Sequence, residues 1–163
     1  MAINVNLARK LANLYAKDQL MRDLAKKNKA LWDSKQEVSN TRVLKQIVKE
    51  YGWPVKSLVG DFAANAAWLI AQHSDMDIEF QEKCLDLMKS QTDGEVDLQN
   101  IAYLEDRICK NKNRAQIYGT QFINTPDGLR PWKIKSPNNV NERRRSMSLG
   151  SLESYQKHMN KIG

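Results

Sequence analysis

The stretch Tyr51 to Asp75, YGWPVKSLVGDFAANAAWLIAQHSD, constrains this chain more than any other. Gly52-Trp53-Pro54 is a rigid turn: a glycine suits the left-handed residue that ends a helix, and the proline prevents continuation. Gly60 can open the next helix, with Asp61 in its first turn at the positive end of the dipole. Ala63, Ala64, Ala66, Ala67, Trp68, Leu69 and Ile70 then make a helix over 60–73 that is apolar on nearly every side. Such a helix belongs in the middle of a fold, and its alanines let neighbours approach closely. It ends on the polar cluster Gln72-His73-Ser74-Asp75.

Helical spacing recurs on both sides. Leu7, Leu11, Leu14, Tyr15, Leu20 and Leu24 predict an amphipathic helix over 4–28, in which Asp18 and Arg22 form an i,i+4 pair, ordinarily a surface bridge worth about 0.2–0.5 kcal/mol. Leu31, Val38, Val43, Leu44, Ile47 and Val48 predict a second over 30–50, with Asn40-Thr41 in its middle as a kink or an exposed amide. Asp75 or Asp77 caps a helix over 77–91, and Asp97 starts another reaching about 110. The period then changes. Residues 116–123 are rich in strand formers, 124–128 are turn chemistry, and 129–134 return as a second strand. Asn141 to Met147 and Leu152 to Met159 read as short helices.

The fold expected is therefore mainly α: a single-domain bundle of about five helices around the buried helix 60–73, a small β-hairpin within 116–134, and short C-terminal helices. Residues 1–135 form the helical domain with its hairpin, and 136–163 a basic C-terminal extension. A chain of 163 residues is long enough for one domain with a real core.

Composition removes several classes of function. No run of 18 apolar residues exists, so no membrane span is expected. The N-terminus, MAINVNLARKLANL, lacks the apolar core and cleavage site of a signal peptide. Cys84 and Cys109 are too few for a disulfide framework, and a reducing cytoplasm is the simplest setting. Two histidines without a Cys-x-x-Cys pair make a zinc site improbable, and no cofactor is implied. The net charge of +7 divides unevenly: +7 over residues 1–56, −6 over 57–129 and +6 over 130–163. Basic ends around an acidic middle read most simply as a solvated surface. Binding of an acidic partner or nucleic acid through the ends, including Arg143-Arg144-Arg145, is the alternative.

Three patches carry polar residues that packing does not demand. They are Gln72-His73-Ser74-Asp75 with Gln81 beyond, Glu105-Asp106-Arg107 with Tyr103, and Tyr118-Gly119-Thr120-Gln121. His73 suits a general base or acid, since an imidazole ordinarily titrates near pH 6.5. Asp75 or Asp106 would orient it. Arg107 would clamp a phosphate or carboxylate through paired hydrogen bonds, with Gln72, Gln81, Tyr118, Thr120 and Gln121 as further ligand contacts. Each has an ordinary structural alternative: a capped or hydrogen-bonded core histidine, helix caps at Asp75 and Asp77, an internal bridge at Asp106-Arg107. No nucleophile elbow, phosphate-cradling glycine loop or His-x-x-x-His pair is present.

In order along the chain, YGWPxxSLVG, the AAxLIxQHxD helix end, AYLxDR and QxYGTQF resemble a bacterial and phage family catalogued as a domain of unknown function, numbered 6624. The resemblance runs from Asp18-Gln19 past Pro131-Trp132-Lys133-Ile134 to Asn141-Glu142-Arg143-Arg144. The family pattern corresponds here to Asp18, Gln19, Asn40, Tyr51, Gly52, Trp53, Pro54, Gly60, Gln72, His73, Asp75, Gln81, Asp106, Arg107, Tyr118, Gly119, Thr120 and Gln121. The run Arg143 to Ser148 is more basic than the family's usual ending. The resemblance implies no reaction, but its motifs consist largely of polar rather than core residues, which favours a site.

Three functions follow as expectations: hydrolytic or acid/base chemistry on an anionic small molecule, such as a nucleotide, centred on His73; a ligand-sequestering or sensing module using the same pocket; and an interaction protein binding through its basic ends.

Overall fold

The structure, a computed structural model, describes residues 2–162. It is mainly helical, with one two-stranded antiparallel hairpin and short C-terminal helices. Backbone contacts divide it into two compact units, Met1–Val96 and Asp97–Gly163.

The first unit contains α1 (Val5–Lys27), a 3-10 turn (Lys29–Leu31), α2 (Ser34–Tyr51), α3 (Lys56–Val59), α4 (Asp61–Gln72) and α5 (Ile78–Lys89). Side-chain caps start most of them. Asn4 accepts from the Leu7 amide, Asp33 from the amides of Lys35 and Gln36, and Asp77 from that of Phe80. Of the two aspartates offered as the α5 cap, Asp77 is the one in place. Gly52 ends α2 at φ 74°, in the left-handed region a turn of this kind needs.

Helix α4 is the centre of this unit. It packs most extensively on α1 and also touches α2, α3 and α5. Ala63, Ala64, Ala66, Ala67 and Ala71 are all buried, so both sides of the helix are covered. The face α1 turns inward is Leu7, Leu11, Leu14, Asp18 and Met21, a 4-3-4-3 spacing that keeps one stripe facing a partner. Leu20 and Leu24, expected on that stripe, are exposed instead, Leu20 at 62%. The cause is register: a carboxylate occupies the position where the stripe calls for an apolar residue. Asn40 and Thr41 likewise neither kink α2 nor reach solvent. The helix runs unbroken through both, and both are buried.

The second unit contains α6 (Leu98–Asn111), β1 (Phe122–Thr125), β2 (Gly128–Pro131), a 3-10 turn (Pro137–Asn139), α7 (Val140–Ser146) and α8 (Leu152–Ile162). The hairpin pairs Phe122 with Pro131, Ile123 with Arg130, Asn124 with Leu129 and Thr125 with Gly128. Helix α8 packs on β2, and the Asn160 side chain accepts from the Leu129 amide at 3.0 Å. Tyr155 of α8 meets Phe122 and Tyr103 edge to face.

The hairpin is shorter than the strand-former pattern predicted. Residues 117–121 are a loop in which the amides of Ile117, Tyr118 and Thr120 point at a carboxylate rather than along a ladder, and Gln116 keeps an isolated bridge to Ile134. Gly119, at φ 72°, allows that loop to turn. A Cβ there would lie 2.8 Å from Leu152 Cδ1.

Candidate functional site

The selected residues fall into two sets, Gln72, His73, Asp75 and Gln81 in the first unit and Asp106, Arg107, Tyr118, Thr120 and Gln121 in the second.

His73 follows the last residue of α4, where its amide donates to the Leu69 carbonyl. Its Nδ1 lies 2.8 Å from Asp18 Oδ2. Asp18, expected to sit in a surface bridge, is 1% exposed. The same Oδ2 accepts from Gln19 Nε2 at 2.9 Å and from Arg22 Nε at 3.0 Å, and Arg22 Nε is 3.2 Å from Oδ1. Burial pushes the Asp18 carboxyl up, but the hydrogen bonds and positive charge of His73 and Arg22 outweigh it and hold the group below the usual carboxylate range. An ionised Asp18 makes Nδ1 the protonated ring nitrogen and Nε2 the basic one. The His73 side chain is 17% exposed, so the pair stands at the edge of the core.

The turn after α4 is fixed from beneath. Gln81, fully buried, donates from Nε2 to the carbonyls of Ala71 and Gln72 at 3.1 and 3.2 Å, and to Asp75 Oδ1 at 3.4 Å. It thereby satisfies carbonyls that a helix C-terminus leaves open. The Ser74 hydroxyl donates to the Ile70 carbonyl and lies 2.9 Å from the Thr41 hydroxyl. Two buried amide atoms in this unit have no hydrogen-bond partner among the described residues: Asn40 Nδ2, whose Oδ1 accepts from Gln36, and Gln72 Oε1. An unmet buried polar atom costs about 1–3 kcal/mol, so such atoms concentrate where a ligand or water completes them.

In the second unit Asp106 is the hub. Oδ1 accepts from the amides of Ile117 (2.7 Å) and Tyr118 (3.0 Å); Oδ2 accepts from the Thr120 amide (2.9 Å) and hydroxyl (3.0 Å). Burial raises its carboxyl above the usual value, against the lowering effect of these donors. Gln116, also fully buried, donates to the carbonyls of Gln121 and Trp132 and accepts from the Gln121 amide. Arg107 donates to Gln121 Oε1 at 3.2 Å, and the Tyr118 hydroxyl, 3.4 Å from Glu105, is pushed up to about 12 by burial and that neighbouring charge. These side chains hold the loop to α6 and to the hairpin.

Two arginines of the basic run complete that scaffold. Arg143 donates to the carbonyls of Ile117, Lys135 and Ser136. Arg144 is buried, donates to Gly150 and Tyr118, and lies over the Tyr155 ring at 5.1 Å. Arg145 is exposed.

Asp18 as the carboxylate on His73 was the residue missed by helical spacing. Continuing the stripe Leu7, Leu11, Leu14 by three and four residues lands on Asp18 and Met21, and a carboxylate on a core stripe asks for a buried partner.

A family described as a family of unknown function (DUF6624) matches residues 20–162, and the chain belongs to it. Neither the curated proteins nor the solved structures contain a match.

Proposed function

We propose that this member of the DUF6624 family is a small-molecule protein whose first unit carries acid/base chemistry centred on His73, with an anion as its ligand. The observation that carries the reading is the 2.8 Å contact between His73 Nδ1 and the buried Asp18 carboxylate. Asp18 orients the ring and stabilises the imidazolium that forms when Nε2 takes a proton. A water presented to Nε2 would give up its proton as its oxygen bonds to an ester or phosphoryl centre. The imidazolium would then return that proton to the departing oxygen. Gln81 and Gln72 support this site by position, the first fixing the turn and the second offering a buried acceptor.

The unpartnered Asn40 Nδ2 and Gln72 Oε1 favour a second reading, in which the same site holds its ligand without turnover. One set of measurements separates the two. The full chain and its His73→Ala and Asp18→Asn variants are incubated with phosphate monoesters, phosphodiesters and nucleotides, with product and affinity followed together. Acid/base chemistry predicts that His73→Ala lowers turnover about 10²–10⁴-fold with affinity largely kept. Binding without product in the unaltered protein supports sequestration, and turnover indifferent to His73 removes the acid/base reading.

A further inference from the structure

Beside the Asp18–His73 pair lies a shallow recess of about 460 Å³ lined by Arg22, Ala25, Lys26, Lys29 and Trp32. We propose that it binds a mononucleotide, with the base on Trp32 and the phosphate on Arg22 and Lys29. The ligand class deepens the anion-binding reading above and rests on it for any turnover, but the binding claim stands on the recess itself.

Arg22 joins the recess to the pair. Its Nε is engaged by Asp18, which fixes the guanidinium, and its carbon lies 5.1 Å from the centre of the Trp32 ring. Nη1 and Nη2 make no hydrogen bond or ion pair among the described residues, nor does the Lys29 ammonium. Lys26 is held only by an exposed pair with Asp23. One prepositioned guanidinium and one unpaired ammonium thus share the recess, an arrangement suited to phosphate oxygens. Asp33, next to Trp32 in sequence, has its Oδ1 committed to capping α2.

Trp32 supplies the other half of the chemistry. It is 43% exposed, although an indole is among the most favourable groups to bury. An exposed indole flanked by cations is the combination on which nucleobases stack. The volume falls in the range of about 300–1,000 Å³ typical of small-ligand sites. A free phosphate would use the cations alone; an uncharged aromatic would use the open face of the indole alone. A mononucleotide uses both.

The test is calorimetric titration of the full chain with AMP, GMP, CMP and UMP, and with adenosine and ribose 5-phosphate as half-ligands. At least one mononucleotide should bind at least tenfold more tightly than either half-ligand. Trp32→Ala and Lys29→Ala should each weaken it about tenfold, and Lys29→Ala, at an exposed position, should leave the melting temperature unchanged. Arg9→Ala, exposed on α1 and about 20 Å along the helix from Arg22, should leave affinity unaltered. Absence of mononucleotide binding at millimolar concentration overturns the proposal, as does wild-type affinity in Trp32→Ala or an equal loss of binding in Arg9→Ala. Nucleotide binding without turnover would remove only the acid/base reading. His73-dependent turnover of a non-nucleotide with no nucleotide binding would remove only this one.

Discussion

His73 Nδ1 and Asp18 Oδ2, 55 positions apart in sequence, meet at 2.8 Å where α4 ends against α1. The contact replaces one layer of apolar packing between the two helices that touch most extensively in the first unit. A carboxylate in that layer is costly unless it is paired and fully hydrogen-bonded, and Asp18 meets the condition with three side-chain donors. A role in chemistry and a role in packing can be separated by mutation.

Asp18→Asn should cost about 1–3 kcal/mol in urea unfolding, because it removes the charge from a buried acceptor that serves Gln19, Arg22 and His73. Converting the contact to an apolar one, with Asp18→Leu and His73→Leu together, should recover most of that loss, since apolar replacement of a buried pair is often neutral or stabilising. A double variant less stable than Asp18→Asn would show that the pair holds the fold rather than serving a site.

The same carboxylate gives the first unit an acid-sensitive component. Its folded-state pKa lies below the ordinary value of 3.8, so the stabilisation is complete above that value. It is lost as pH falls through the lower folded-state value. Urea midpoints measured from pH 6 down to pH 2 should fall less steeply in Asp18→Asn than in the unaltered protein. Parallel curves would mean that folding leaves the Asp18 carboxyl's pKa unchanged.

The central helix was legible because its apolar residues surround it, and the caps and the YGWP turn because Asp, Asn, Gly and Pro act locally. The Asp18–His73 contact was not, since nothing in local sequence couples two residues so far apart. The unbroken 4-3-4-3 stripe hinted at Asp18, and the family pattern named both residues without pairing them. Residues 117–121 read as strand for a related reason: Ile117, Tyr118 and Thr120 have strand propensity, yet the Asp106 carboxylate outcompetes a ladder for their amides, and the Gln116 side chain takes that of Gln121. Arg143 and Arg144 counted as surface charge in composition, whereas the fold spends them on carbonyls.

Asp106→Asn should loosen that loop. An amide keeps one accepting oxygen and turns an N–H₂ donor toward the remaining backbone donors, leaving at least one buried amide unmet. The expected cost is about 2–3 kcal/mol. Amide hydrogen exchange should lose protection at Ile117, Tyr118 and Thr120 before the rest of the second unit. Protection unchanged at those three amides would contradict the hub role.

Gly119→Ala should destabilise more than Gly52→Ala. Both glycines have positive φ, 74° at Gly52 and 72° at Gly119, so each substitution adds backbone strain. Only at Gly119 does a new Cβ approach other side chains, 2.8 Å from Leu152 Cδ1 and 3.1 Å from Ile134 Cδ1; at Gly52 nothing lies within 4 Å. Thermal unfolding of the two variants should therefore differ by the cost of displacing Leu152, and equal losses would mean that α8 yields freely.

Arg144 and Arg145 are adjacent in sequence and opposite in setting, which decides how the basic run acts. Arg144→Ala removes two hydrogen bonds to carbonyls and a cation from the Tyr155 ring inside the fold, so it should cost about 2–4 kcal/mol. Arg145→Ala, at an exposed position, should stay within about 0.5 kcal/mol of the parent. If the run binds nucleic acid through its charge, Arg145→Ala should lower the slope of log affinity against log salt by about one. An unchanged slope, with Arg144→Ala unfolding early, would assign the run to the architecture of the second unit.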